Sequence, residues 1–234
     1  MWRTLPLLVA LFLVSNSTLA QHRHASLQND DRSLPRKVII IPADVVVHEM
    51  SVGGILEKAP EWARQSSDNL TRAMREVAED IRHFTIVQAP TLTEEEQDRL
   101  DESIATFMTV GTTAHQTLLW GGAAWAHKRT EFDYTLGPGL AFLREKTGAD
   151  AAILMAGDDI VSSDGRKAAV VVGALLGVGL ATGRSIALTS VVDLQTGDLL
   201  WMHYDESMSK DLKNYDSAKT MVSDIFSKYP GVRK

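Results

Sequence analysis

The 234-residue sequence contains no cysteine. Disulfides, thiol nucleophiles and thiolate metal sites are thereby excluded, and so is a lipid anchor built as a thioether on a cysteine sulfur. An exported domain without disulfides must rest on its hydrophobic core alone. Signatures of common chemistries are missing too: there is no H-E-x-x-H pair, no G-x-S-x-G elbow, no calcium loop of EF-hand spacing and no Walker A lysine. An enzyme is therefore the weaker class, with no catalytic residue and no cofactor or metal site nominated. The formal charge of −6 argues against a general nucleic-acid binder, because such proteins gain affinity from a cationic face that releases counterions.

What is present begins with an address. Arg3 supplies a positive start, Leu5 to Val14 form an apolar run broken only by Pro6, and Thr18-Leu19-Ala20 place small residues where signal peptidase reads them. The run is about half the roughly 20 apolar residues that a membrane-crossing helix requires. Residues 1–20 are thus expected to be a cleaved signal peptide and Gln21 the start of a periplasmic chain. Residues 21–36, polar and without an apolar period, read as a flexible leader. An apolar fraction of 44% and a charged fraction of 23% describe an ordinary globular domain thereafter.

Along that domain, Lys37 to Val47 is rich in β-branched residues and predicts a buried strand, with Pro42 marking an edge or bulge. Leu70, Met74, Val77 and Ile81 recur at helical spacing, so a helix opens at Pro60 and ends near His83. Phe84 to Gln88 predicts a short strand. Thr93 and Glu96 form a capping box ahead of a long helix, expected to break near Gly111 on its way to Trp120. Glycines and Pro138 make 121–139 a loop holding Trp125. A short helix over Leu140–Lys146 should close on Gly148, and Ala151–Met155 should form a strand. Ile186–Leu194 and Leu199–Tyr204 predict a hairpin turning at Gly197, and an amphipathic helix comes next over Leu212–Tyr229. Strands alternating with helices point to an α/β sandwich.

Two features invite a functional reading. Asp158, Asp159 and Asp164 could gather oxygen ligands, although Ser162 to Gly165 equally makes a turn. The glycines at 177, 179 and 183 have the wrong spacing for a dinucleotide fingerprint, and they precede a strand instead of opening a helix. The sixteen residues Ala168 to Gly183 carry no charge. Their length suits a buried helix or hairpin better than a membrane span. The spacing Gly173-x-x-x-Gly177 would equally let another helix approach closely, in lipid or in a protein interface.

The segment 147–159 (TGADAAILMAGDD) and the hairpin 185–207 carry a further pattern: Ala149, Asp150 and Gly157, then Val192, Asp193, Thr196, Gly197 and Trp201. It resembles a group of bacterial envelope proteins related to the curli secretion channel lipoprotein and to periplasmic activators of peptidoglycan synthases. The resemblance implies a three-layer α/β sandwich, a mixed sheet with flanking helices and a C-terminal β-hairpin followed by a helix. It makes Asp193, Thr196, Gly197 and Trp201 a fold motif. It also implies an assembly or docking role without catalysis. The absent cysteine departs from those relatives, which are mostly lipoproteins.

The expectation is then one domain over 37–230 with an apolar Gly/Ala-rich insertion at 166–184. Its partner would be another envelope protein, the membrane surface or a second copy, contacted through Gly173, Leu175, Leu176 and Gly177 and the tryptophan loop of Trp120 and Trp125. The alternative is a small-ligand binder or hydrolase with its site near the Gly121–Gly139 loop.

Overall fold

The computed structural model describes residues 22–27, 34–80, 84–120, 127–128, 131–208 and 210–230; the expected signal peptide, residues 1–20, lies outside the described residues. The strands are β1 (His22–Arg23), β2 (Lys37–Ile40), β3 (Asp44–Met50), β4 (Leu56–Lys58), β5 (Thr85–Val87), β6 (Ala151–Ser162), β7 (Arg184–Asp193) and β8 (Leu199–Ser207). The helices are α1 (Pro60–Asp80), α2 (Glu94–Trp120), α3 (Ala141–Thr147), α4 (Asp164–Leu175) and α5 (Tyr215–Phe226).

One eight-stranded mixed sheet runs β1-β8-β7-β6-β2-β5, with β3 also beside β6 and β4 beyond β3. Strands β2, β3 and β5 run parallel to β6, β7 pairs antiparallel with β6, and β8 pairs antiparallel with β7. Alternate residues of β6 feed two cores. Ala151, Ile153 and Met155 join Leu70 and Met74 of α1 and Met221 and Phe226 of α5. Ala152, Leu154 and Ala156 join Leu100 and Phe107 of α2 and Phe142 and Leu143 of α3. The result is the three-layer sandwich with a closing hairpin and helix.

Several expectations need correcting. The single strand over Lys37–Val47 is two: Pro42 lacks an N–H to pair, and Ala43 turns to α1, donating to Thr71 Oγ1 at 2.9 Å. β2 and β3 therefore lie end to end along β6. No break occurs at Gly111, because that glycine faces Leu188 of β7 where a Cβ would overlap it. Closeness to the sheet, not helix termination, accounts for the residue. Strand β6 does not stop at Met155 but continues through Asp158 and Asp159, paired with β3 on one side and β7 on the other. Within the leader, His22–Arg23 pairs with β8, and Leu27 and Leu34 are buried in the α1/α5 core. The end of α1 near Ile81 to His83 lies outside the described residues.

Local chemistry accounts for elements that match. Thr93 N–H donates to Glu96 Oε2 at 2.8 Å and Glu96 N–H to Thr93 Oγ1 at 3.3 Å, the reciprocal capping box. Gly148, at φ 67°, closes α3. In the β7–β8 turn, Asp193 Oδ1 accepts from the N–H groups of Gln195 and Thr196 at 2.7 and 2.9 Å, and Thr196 Oγ1 accepts from Asp198 N–H at 3.2 Å. Trp201 is fully buried between Phe226 and Tyr229. Gly197 sits at φ 80° with its α-carbon against the backbone of Gly137, where a Cβ would overlap. Gly197→Ala should lower unfolding free energy by about 2–4 kcal/mol through both the left-handed backbone and the clash. Urea unfolding checks this; an unchanged midpoint would refute it.

Candidate functional site

Neither apolar core contains a residue of α4. The helix leaves the end of β6, where Ser163 caps it by accepting from Arg166 N–H at 3.2 Å, and its apolar residues face outward. Val171, Val172, Leu175, Leu176 and Val178 are 52% to 82% exposed. The buried helix or hairpin expected for 168–183 is thus corrected, since hydropathy records which residues are apolar but not whether the fold leaves a layer to cover them. Val52, Ile55 and Leu56 of the β3–β4 hairpin are likewise 45% to 66% exposed. This hairpin touches the first turn of α4, with Val52 standing where a Cβ on Gly165 would reach it. Among the described residues no helix is long and apolar enough to cross a membrane.

The two glycines of the Gly173-x-x-x-Gly177 spacing shape this surface from within. Gly177 is left-handed at φ 75°, its N–H donates to Ala174 O at 3.1 Å, and Val178 N–H donates back to Gly173 O at 2.7 Å. Those are the two bonds of a Schellman helix end. Gly173 is buried under Val178 and Leu180, where a Cβ would lie 2.9 Å from Val178 O. Beneath them, Arg166 is almost wholly buried. Its Nε and Nη2 donate to Ala181 O at 3.1 and 3.0 Å and its Nη1 donates to Val52 O at 3.0 Å. One guanidinium ties α4, the chain returning from it and the β3–β4 turn. Sequence reading missed this residue, because a lone Arg beside a lysine looks like a solvated flank.

Other nominated positions fall apart. Trp120 ends α2, its side chain outside the described residues, as is Trp125. Of the Gly121–Gly139 loop, Tyr134, Thr135 and Leu136 lie along the β7–β8 turn, with Leu136 N–H donating to Gly197 O and Leu199 N–H to Tyr134 O, both at 2.9 Å. Two cavities, of about 600 and 240 Å³, are lined by residues outside 121–139. Asp158 and Asp159, being consecutive in a strand, point to opposite faces, and the Asp164 side chain is 99% exposed. The three aspartates do not converge. Among the described residues no cluster of three or more His, Asp or Glu could hold a metal ion.

Asp159 is instead a buried tether. Its Oδ2 accepts from Leu212 N–H at 3.2 Å and its Oδ1 lies 2.7 Å from Ser185 Oγ, which also lies 2.8 Å from Lys210 O. One serine proton cannot serve two acceptors. When Asp159 is ionised the serine proton goes to one of the two; when Asp159 is protonated it donates to Ser185, which then donates to Lys210 O. Burial raises the pKa of this carboxyl from its ordinary value against the opposing hydrogen bonds from Ser185 and Leu212, and the Asp211 charge adds to the rise.

No protein-family model and no curated protein matches the sequence. Among solved structures, the chain is similar to the PelC dodecamer from Paraburkholderia phytofirmans, at 10% identity over 89% of this chain and 95% of that one, with a TM-score of 0.31. It is similar to the LpoB C-terminal domain from Salmonella enterica, at 13% identity over 78% and 90%, with a TM-score of 0.30. The lipoprotein GNA1162 from Neisseria meningitidis matches at 10% identity over 86% and 100%, with a TM-score of 0.32.

The Asp159 geometry sets a pH dependence. A folded-state pKa above the unfolded value of about 3.9 means that the folded state holds the extra proton between the two. The stability gained is complete below the unfolded value and is lost as pH rises through the folded one. Asp159→Asn can donate to Ser185 and accept from Leu212 without titrating. The unfolding free energy of the parent minus that of the variant should therefore fall as pH rises from about 4 towards 7. Urea titrations at several pH values measure it, and a pH-independent difference would contradict the assignment.

Proposed function

We propose that this chain is a non-catalytic docking protein of the bacterial envelope, exported to the periplasm, which engages another envelope protein through α4 and the chain returning from it. The observation that supports this reading is the solvent-facing set Val171, Val172, Leu175, Leu176 and Val178. Single exposed aliphatic residues are ordinary, whereas a contiguous set marks an interaction surface. Burying one such leucine contributes about 1.5–3 kcal/mol. With Val52, Ile55, Leu56 and Met208, the exposed aliphatic area is on the order of the 800 Å² that one partner buries in a standard interface.

A protein fits this surface better than a lipid headgroup layer does. Lys167 is paired with Asp164 at 3.1 Å and Arg184 with Glu206 at 3.7 Å, so the rim offers anionic lipid little net positive charge. Among the described residues the exposed apolar set holds no tryptophan of the kind interfacial helices use, and Lys167 of α4 is held in an ion pair. In this reading Gly173 and Gly177 set the shape, and Leu175 and Leu176 make the contact.

Leu175→Ser with Leu176→Ser tests the proposal. The substitutions should change stability by less than about 0.5 kcal/mol each, because both side chains are already in water. In cells, a photocrosslinker at Leu175 should give one discrete adduct that the same probe at exposed Arg75 on α1 does not. The double serine variant should abolish co-purification with that partner. An adduct of twice the chain's mass would replace the heterologous partner by a second copy, and flotation with protein-free anionic vesicles would replace it by the membrane surface. Identical behaviour of parent and variant would overturn the proposal.

A further inference from the structure

A cleft of about 600 Å³ opens where β2 and β5 end, and it shares no residue with the α4 surface. Strand β5 pairs with β2 only over Lys37–Ile39, and β4 pairs with β3 only over His48–Met50. Between them, among the described residues, the sheet edge has no neighbouring strand. The step at Pro42 creates the opening: Ala43 is drawn to α1 through Thr71 and Ser67, away from the end of β5. Ile39 and Ile41 form the floor, and Leu100 and Ile104 of α2 and Leu143 of α3 the walls. Crevices outside the carboxyl ends of parallel strands are where α/β sheets bind ligands, and this volume falls within the usual range for small-molecule sites.

The charged groups at the mouth share one sign. Asp44 comes from the start of β3, and Gln97 and Asp101, one helical turn apart, from α2. Gln97 Nε2 donates to Asp101 Oδ1 at 2.7 Å. Of the described residues that line the cleft none is basic, and among the described residues neither carboxylate is in an ion pair. An apolar interior below two uncompensated carboxylates favours a cation carried on an apolar body and opposes an anion of the same shape.

We infer that this cleft binds a small cationic amphiphile, its alkyl or ring portion against Ile39, Ile41 and Leu100 and its ammonium group between Asp44 and Asp101. Calorimetric titration of the full chain with decylamine, decanol and decanoate tests the assignment. Decylamine should bind about tenfold more tightly than decanol, and decanoate more weakly still. The pair Asp44→Asn and Asp101→Asn should bring decylamine down to the affinity of decanol. Ala105→Trp, placed at the exposed mouth, should abolish binding of both; Gln97→Trp serves the same purpose should the first variant fail to fold. Leu175→Ser with Leu176→Ser should leave decylamine affinity unchanged, which separates the cleft from adsorption on α4. Equal affinity for amine and carboxylate, no amine binding, or loss of binding on changing α4 but not the cleft would overturn the inference.

Discussion

The ladder that β6 makes on both edges is the constraint that organises both layers and both surfaces. Ten of its residues pair in unbroken register with β7, and its other edge is shared by β2 and then β3. Strand β6 has twelve residues and is buried along nearly its whole length. Its first half, Ala151 to Ala156, is apolar on both faces and carries both cores. Its second half remains largely buried, with Val161 in the α1/α5 core, but it also takes in the polar Asp158, Asp159 and Ser162. The exposed surface of α4 follows directly on the C-terminal end of β6, and the cleft lies where β2 hands over to β3 on the same strand's edge.

Features set by a few neighbouring residues were legible in the sequence. Thr93 and Glu96 specify a helix start, Gly148 a helix end, and Asp193 to Gly197 a turn, each through bonds within four or five residues. Features set by distant chain were not. The outward face of α4 has the composition of a core helix, and only the absence of a layer above it among the described residues makes it a surface. Gly173-x-x-x-Gly177 has the spacing of a helix-packing motif, yet it finishes its own helix. The cleft assembles residues from β2, the chain after β5, α2 and α3, and no local pattern joins Asp44 to Asp101. Asp158 and Asp159 looked like one cluster because sequence proximity hides the alternation of a strand.

Polar burial at the far end of β6 ties the sheet to the C-terminal helix. Asp159, Ser185 and the backbone at 210–212 connect β6 and β7 to the approach of α5. An apolar residue at 159 would leave Leu212 N–H and Ser185 without that partner. The carboxyl thus positions the loop that delivers α5 to its core, where Leu212 is itself fully buried.

Arg166 carries a separate consequence. Its guanidinium directs its hydrogen bonds to neutral carbonyls of two other segments, so the β3–β4 turn and the chain returning from α4 share one anchor. The two apolar patches are thereby tied to each other through one side chain. A partner spanning both meets a preorganised surface and loses less conformational entropy on association than it would with two independently moving loops.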